Sequence, residues 1–164
     1  MTISLERLLK HMAWANQRTI EHLQTLPEDS LKSFATNPEW KVAEILRHIV
    51  ESANFYAFRI TGNFPANADK SEAQPTRDDL ESLREKARAV DQALLECEKL
   101  EEVEVEFVRN NGEKVKRWRS TILSQAIHHA TEHRAQIASA LEAKGFAPVD
   151  LDELDLWSYE IAKG

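Results

Sequence analysis

The sequence predicts an all-α protein, a four-helix bundle with a β-hairpin inserted between the third and fourth helices. Four segments repeat apolar residues every three or four positions, which is the spacing of one helix face. A segment between the third and fourth of them alternates apolar and acidic residues, which is the period of a strand. The 164 residues are 42% hydrophobic with only 4 Gly and 5 Pro. We therefore expect a single domain over residues 1–164 with a buried core.

The first helix is predicted over residues 3–26, where apolar residues recur at helical spacing until Pro27 interrupts them. The second is predicted to open on Asn37-Pro38-Glu39. Asn suits the N-cap, Pro suits the first helical position, and Glu favours the helix dipole. This helix continues to Gly62, because glycine is typical of the position after a helix C-terminus.

A polar segment bounded by prolines follows at residues 63–75. We interpret it as a surface loop and a candidate flap over whatever the bundle holds. Thr76 and Asp79 then have the spacing of a capping box, which predicts the start of a third helix. This helix runs to about Leu100, with a charged outer face and an apolar inner face.

A β-hairpin is predicted after the third helix. Residues 103–107 alternate valine or phenylalanine with glutamate, which indicates a half-buried strand. Asn110-Asn111-Gly112 supplies a tight turn, and Val115 and Trp118 lie among basic residues in the return strand. An acidic arm opposite a basic arm favours this pairing.

The fourth helix is predicted over residues 120–144, with Ser120 as its N-cap and Gly145 as its stop. The tail after it contains Pro148, several Asp and Leu residues, Trp157 and Tyr159. We expect this tail to pack back on the bundle as a short helix.

Charge and composition also argue against several partners and locations. The net charge is −7, from 28 acidic against 21 basic residues, whereas binding to nucleic acid needs clustered positive charge. No apolar run approaches the roughly 18–20 residues of a membrane span. The single Cys97 cannot form an intrachain disulfide, and the N-terminus lacks the apolar stretch of a signal peptide. We expect a soluble cytoplasmic protein.

The histidines are the residues that carry the functional prediction. His129 and His133 lie one turn apart on the fourth helix, so their Cβ atoms are about 5–6 Å apart. At roughly 100° per residue, both fall on the apolar face of that helix. That face also contains Ile122, Ala126, Ile137 and Ala140. His128 falls on the outer, polar side.

Two interpretations of this pair stay open. Imidazoles that point into a core need a partner, which is either a neighbour such as Gln125 or Glu132, or a metal ion. A metal site needs a third ligand from another helix. His48, mid-way along the second helix, is the best candidate. His11 and His22 are expected to be solvated or to cap a helix end.

Three histidine ligands would leave at least one position on the ion open. Structural zinc sites are usually closed by four ligands and rich in cysteine, and this chain has one Cys, in the third helix. Neutral imidazole suits zinc, nickel, copper or iron. The expected cofactor is therefore a reactive or substrate-binding divalent metal ion, with zinc or nickel as the first choice.

The segment His129-Ala130-Thr131-Glu132-His133 also matches the H-x-x-E-H motif of inverted zinc peptidases, in which Glu132 would be the general base. The motif is short. The downstream acidic ligand and the larger fold of those enzymes are not evident here, so we disfavour the peptidase reading. Glu132 stays our candidate catalytic residue, as the base in another hydrolytic reaction.

Three segments resemble the DinB-like (YfiT-like) family. Residues 122–137, in which His133 is followed by Arg-Ala-Gln-Ile, resemble its last bundle helix. Residues 44–49 resemble its second-helix motif, where a histidine closely follows a leucine. Trp14-Ala15-Asn16 resembles the tryptophan–alanine–asparagine of its first helix, and the hairpin before the last helix also fits.

The resemblance implies a four-helix bundle with a divalent metal on three histidines, here His48, His129 and His133. It also implies frequent homodimers. Characterised relatives are thiol-dependent: S-transferases that use bacillithiol or mycothiol, and a maleylpyruvate isomerase. Two positions depart from the family pattern. Gln125 stands where another histidine is frequent, and Ala135 replaces the usual glycine, so the surroundings of the site differ although no ligand is lost.

Three hypotheses about function therefore stay open. The leading one is a metal-dependent enzyme acting on a small molecule, either a transferase with a low-molecular-weight thiol as co-substrate or a hydrolase that activates water. Glu132, Gln125 or Asn16 could position the reactants, although Asn16 could equally be a packing residue. The alternative is a non-catalytic metal- or ligand-binding protein of the damage-inducible stress type. The third has no metal and satisfies the histidines by hydrogen bonds.

Overall fold

The computed structural model describes residues 3–68, 73–109 and 111–163 and confirms the predicted four-helix bundle with its hairpin. The bundle helices are α1 (Leu5–Thr25), α2 (Val42–Thr61), α3 (Leu80–Glu98) and α4 (Arg119–Ala143). Strands β1 (Glu104–Val108) and β2 (Lys114–Trp118) form the hairpin between α3 and α4, and a short helix α5 (Leu156–Lys163) follows α4. In the described part of the chain, no helix combines the length and apolarity needed to cross a bilayer.

The four bundle helices surround one apolar core. Helices α1 and α2 each pack against both α3 and α4, so α1 and α2 lie across the bundle from each other. The largest fully buried side chains come from all four helices: Leu9, Met12, Ile20, Leu23, Val42, Ile45, Leu80, Val90, Leu94, Leu123, Ile137 and Leu141. Burying such a side chain contributes about 1.5–3 kcal/mol, so these inner faces hold the helices in place. The packing of α2 against α4 is the contact that positions the candidate site.

Three helix ends show clear capping chemistry, and the sequence predicts two of them, at Thr76 and Gly62. The Ser4 hydroxyl accepts a 3.1 Å hydrogen bond from the Arg7 backbone N–H at the start of α1. Thr76 and Asp79 form the predicted capping box before α3. Gly62, at φ 76°, ends α2 with its N–H donating to the Phe58 carbonyl at 2.7 Å. A residue with a side chain would be strained at that φ, which explains the glycine.

Two predicted helix starts are wrong by a few residues. Asn37 does not cap α2, which begins at Val42; its side chain instead accepts from the Glu39 N–H at 3.0 Å and closes a turn before the helix. Ser120 does not cap α4, because it already lies inside the helix, and its hydroxyl donates to Glu102. Short polar side chains form hydrogen bonds in turns as well as at helix caps, so residue type alone does not determine where a helix begins.

The hairpin pairs as predicted, with one shorter strand. Phe107 lies opposite Val115, and Glu106 lies opposite Lys116, so an acidic arm faces a basic arm. Val103 precedes β1 and is 46% exposed, so the half-buried strand is shorter than the alternation suggests. Of the predicted turn, Gly112 has φ 83°, while Asn110 lies outside the described residues.

The start of α4 is tied to the end of α3 by one buried side chain. The Arg119 guanidinium donates to the carbonyls of Cys97, Glu98 and Glu101, at 2.5, 2.9 and 3.2 Å. Carbonyls at a helix C-terminus have no partner within the helix, and a cation there also favours the helix dipole. Arg119 therefore fixes the point where the chain leaves the hairpin and enters the helix that holds two of the histidines.

The loop at residues 63–75 is described except for residues 69–72. The Asn54 side chain of α2 holds it by donating to the Ala66 carbonyl at 2.9 Å and accepting from the Ala66 N–H at 3.2 Å. The described part of the loop lines a cavity with Ser82 and Lys86 of α3. The loop therefore lies along α2 and α3, and a role as a flap stays a prediction.

Candidate metal centre

Helices α2 and α4 bring three histidine side chains to one point. The Nε2 atom of His129 lies 2.9 Å from that of His48 and 3.0 Å from that of His133. The ligand atoms of the three residues all lie within 4.8 Å of one another, and all three side chains are half-buried. Across residues 3–68, 73–109 and 111–163, this is the one group of three or more His, Cys or acidic side chains arranged so that they could hold a metal ion.

The apolar stripe of α4 explains why the histidines meet. The four apolar residues predicted to share the histidine face are all buried: Ile122, Ala126, Ile137 and Ala140. This face packs on α2, which presents His48 to the pair. His128, which lies one residue away from His129, is exposed as the helix geometry predicts. One helical turn of α4 and one position of α2 thus supply the three side chains.

The nitrogen separations fit a shared ion. Metal–nitrogen bonds of about 2.0–2.1 Å place two ligand nitrogens of one ion about 3 Å apart, which matches the two Nε2 contacts of His129. A single N–H on His129 could align with only one of these two contacts. A cation among the nitrogens satisfies all three lone pairs together, so the donor set suits a metal better than an imidazole hydrogen-bond chain.

Burial keeps two of these imidazoles in the form that binds metal. Burial, together with smaller contributions from charge repulsion by His133 and His48, lowers the pKa of His129 to about 4. Burial also lowers the pKa of His48, with a smaller contribution from His133. Only the neutral ring has a lone pair for a metal ion, so the surroundings favour metal binding at neutral pH.

A glutamine one turn after the last histidine fixes the orientation of that ring. Gln136 Oε1 lies 2.7 Å from His133 Nδ1 and accepts a 2.8 Å hydrogen bond from Trp40 Nε1. An amide oxygen can only accept, so His133 carries its proton on Nδ1 and its lone pair on Nε2, the atom that faces His129. Partners of this kind orient metal-binding histidines in many proteins. Neither Gln136 nor Trp40 was predicted from the sequence to belong to the site.

Aromatic rings border the histidine cluster on two sides. The Trp40 ring packs edge-on against His48 and His133, with centroids 5.2 and 5.6 Å apart. The Tyr56 ring of α2 packs edge-on against His129 at 5.9 Å. Glu132 is exposed on α4, and its negative charge contributes to a raised pKa of the Tyr56 hydroxyl, which burial raises most.

The prediction that His11 is solvated or capping is wrong. His11 is only 9% exposed, its Nε2 lies 2.7 Å from the Leu154 carbonyl, and its ring contacts Trp14 and Tyr159. The tail after α4 folds over this residue, which the periodicity of α1 alone could not reveal. His22 Nε2 lies 2.9 Å from the Ala147 carbonyl. Both histidines therefore hold the C-terminal segment against α1.

Asn16 belongs to a buried polar group that joins α1, α3 and α4. Its side-chain oxygen accepts a 2.8 Å hydrogen bond from Arg134, and its nitrogen donates to Asp91 at 3.3 Å. Burial raises the pKa of Asp91 to about 7, while Asn16 and the Arg134 charge oppose the rise. Among the described residues Asn16 makes these contacts and none with the histidines, so it packs rather than lines the centre. Asp91 and Arg134 were not singled out from the sequence.

Comparison with known proteins agrees with the fold and the cluster. The model of the DinB family matches residues 1–162, and the chain therefore belongs to the DinB family. A search of curated proteins finds no match. The family assignment together with the three clustered histidines is consistent with a metal-binding member of this family.

Proposed function

We propose that this protein is a metal-dependent enzyme that holds one divalent ion, zinc or nickel, on His48, His129 and His133. The observation that carries the proposal is the convergence of three Nε2 atoms from two helices. Three protein ligands are typical of catalytic sites, which keep a position for water or substrate. We expect a small-molecule substrate and, in the transferase version of the reaction, a low-molecular-weight thiol as co-substrate.

The chemistry that such an ion supplies is a positive charge that lowers the pKa of a thiol or water at its open position and yields a nucleophile near neutral pH. The side chains around the cluster would orient and border the ligands of such an ion. Gln136 holds the His133 ring through Nδ1, and Trp40 covers the His48 and His133 rings. Tyr56 borders the cluster next to His129. The two reaction versions are S-transfer to an electrophile and hydrolysis.

Glu132 is our proposed proton acceptor. It is exposed on α4, between His129 and His133 in the chain, so a substrate can reach its carboxylate from solvent. We expect Glu132→Gln to retain the metal and to lower turnover by about 10²–10⁴-fold, the usual contribution of a general base. Unchanged turnover in this variant would remove Glu132 from the mechanism.

The test of the proposal begins with elemental analysis of the purified protein without an affinity tag. We expect about one ion per chain, lost in His48→Ala and kept in His128→Ala, because His128 is exposed on the opposite side of α4. Equal loss in both variants, or no ion after incubation with zinc and nickel, would contradict the metal site.

Activity screens with the metal restored then separate the two functional classes. Thiol-transfer or hydrolytic turnover that disappears in His48→Ala supports the enzyme. A tightly held ion that exchanges slowly, offers no position to water and supports no turnover would favour the non-catalytic metal- or ligand-binding stress protein. In that case the ion would mainly stabilise the contact between α2 and α4.

A further inference from the structure

A cavity of about 580 Å³ lies between α2, the hairpin and the first half of α4. Three arginines line it, Arg59 from α2, Arg109 from the segment after β1, and Arg117 from β2. Among the residues that the structure describes, no acidic side chain lines it. The whole chain carries 28 acidic against 21 basic residues, so a cavity with three positive charges is unlike the rest of the molecule.

Two of these arginines have no carboxylate partner among the residues that the structure describes. The Arg59 guanidinium lies over the rings of Phe107, at 4.6 Å, and Tyr56, at 5.6 Å. Arg117 donates to the backbone carbonyl of its neighbour Lys116. Arg109 forms an exposed ion pair with Glu113 at 3.3 Å. Stacking on an aromatic ring fixes a guanidinium and leaves its N–H donors for an anion.

The cavity lies next to the histidine cluster and shares Tyr56 with its surroundings. Tyr56 lines the cavity and also contacts the His129 ring at 5.9 Å. Gln125 lines it as well and lies one helical turn before His129 on α4. One turn of helix is about 5.4 Å along the axis. A molecule held by the arginines can therefore extend its other end towards the histidines.

We propose that this arginine cavity binds the carboxylate or phosphate group of an organic substrate and directs the rest of the molecule towards the histidine cluster. Guanidinium groups bind both oxyanions through paired N–H donors, and the Phe107 and Tyr56 rings provide an apolar surface for the substrate skeleton. This assignment rests on the proposed function for the reaction, but the binding of the anion itself depends on the arginines alone.

The test measures binding of small probes to the metal-free protein, prepared with a chelator. The probes are benzoate, phenyl phosphate and the neutral benzamide. Their binding is measured by calorimetric titration and by NMR shifts of the arginine side chains. We expect saturable binding of at least one anion, no binding of benzamide, and weaker binding as salt screens the charges. Comparison of benzoate with phenyl phosphate identifies which oxyanion the cavity prefers.

Matched arginine variants locate the binding. We expect Arg59→Gln to weaken anion binding about tenfold or more, because it removes charge-assisted hydrogen bonds. Arg117→Gln, on the exposed strand β2, provides a second variant if Arg59→Gln perturbs packing. Arg88→Gln makes the same change of net charge on the exposed face of α3, away from the cavity, and should leave binding unchanged. An equal loss in Arg88→Gln would overturn the proposal.

Metal restoration separates this inference from the proposed function. Anion binding that requires metal and disappears in His48→Ala would place the anion on the ion and overturn the arginine site. A protein that binds metal but none of the anions would overturn it as well. Anion binding that persists in a protein unable to take up metal would support the arginine site and contradict the proposed function.

Discussion

At the scale of single residues, one amide oxygen decides how the histidine cluster is organised. Gln136 Oε1 interacts with both Trp40 Nε1 and His133 Nδ1. It therefore links the Trp40 ring, which packs on the cluster, to the His133 ring, which belongs to it. The amide can serve both groups because each of them donates a proton. A side chain without an acceptor at this position would leave the His133 tautomer unspecified.

The Gln136 contact predicts a loss of metal affinity without loss of a ligand. Replacement Gln136→Leu should raise the metal Kd about 10–100-fold, the usual effect of removing such a partner. Gln136→Glu keeps an accepting oxygen and should stay within a fewfold of the parent. The measurement is a competition titration with a chromophoric chelator. Identical affinities for the two variants would show that the oxygen has no orienting role.

A second residue-scale feature is the buried carboxyl group of Asp91. Burial raises its pKa to about 7, above the value of 3.8 expected for a free side chain. Between about pH 4 and pH 7, Asp91 is therefore mostly protonated in the folded state and mostly ionised in the unfolded state. The stabilisation that Asp91 contributes is fully present below about pH 4 and is lost as the pH rises to about 7.

This linkage can be isolated with Asp91→Asn, which cannot titrate. The quantity to compare is the difference between the free energies of unfolding of the parent and the variant. We expect this difference to fall by up to about 1.4 kcal/mol per pH unit as the pH rises from 4 to 7. Urea denaturation at several pH values measures both proteins, and the titration of all other groups cancels in the difference. A difference that stays constant with pH would contradict the raised pKa.

At the scale of elements, the short helix α5 is held by one of its two aromatic residues. Tyr159 is buried against His11 and Trp14, whereas Trp157 on the same helix is 80% exposed. The Leu154 carbonyl before the helix can only accept, so His11 donates to it from Nε2. The tail is thus attached to α1 by a small aromatic cluster.

Two substitutions on α5 should differ clearly in their effect. Tyr159→Ala removes buried aromatic surface, so we expect the free energy of unfolding to fall by about 2–3 kcal/mol. Trp157→Ala removes a larger but exposed side chain and should change it by less than about 0.5 kcal/mol. Equilibrium unfolding followed by far-UV circular dichroism compares the two. Similar values would mean that α5 is not docked in solution.

The sequence predicts elements here better than it predicts their ends. Helical spacing identifies all four bundle helices and the histidine face of α4, because the inner faces repeat apolar residues over many turns. Asn37 and Ser120 do not cap their helices. The Asn37 side chain closes a turn, and the Ser120 hydroxyl donates to the Glu102 carboxylate. The periodicity that places His129 and His133 on one face depends only on local geometry.

The parts of the site that the sequence does not predict depend on contacts between distant segments. Trp40 precedes α2 and reaches Gln136 on α4 only once the two helices pack. The buried group of Asn16, Asp91 and Arg134 joins three helices, and no spacing within one helix indicates it. His11 is buried by the tail beyond α4. The family resemblance, by contrast, names the histidine set directly.

At the scale of the whole molecule, the histidines connect the two halves of the bundle. His48 belongs to α2 and the other two ligands to α4, so an ion bound to all three would crosslink these helices. Any ligand that binds only the folded state adds RT ln(1 + [L]/Kd) to its stability. The homodimer implied by the family resemblance stays a prediction, to be tested by sedimentation.

Metal should therefore raise the melting temperature. At free metal 100-fold above Kd, stability rises by about 2.7 kcal/mol, which corresponds to a Tm increase of roughly 5–10 °C for a chain of this size. A chelator should reverse the shift. His48→Ala should show no shift, and His128→Ala should show the full one, as differential scanning fluorimetry can measure. A full shift in His48→Ala would place the stabilising ion elsewhere.

The distribution of the three histidines along the chain also sets the order in which the centre can assemble during synthesis. His48 precedes His129 by 81 residues. At about 5–20 residues per second, the ribosome needs roughly 4–16 s to add that stretch. His129 and His133 then arrive together on one turn and form a two-ligand half-site as soon as α4 is helical. The nascent chain therefore has no complete metal site until the first three bundle helices and more than half of α4 have been made. Metal binding would then report late assembly rather than guide early folding.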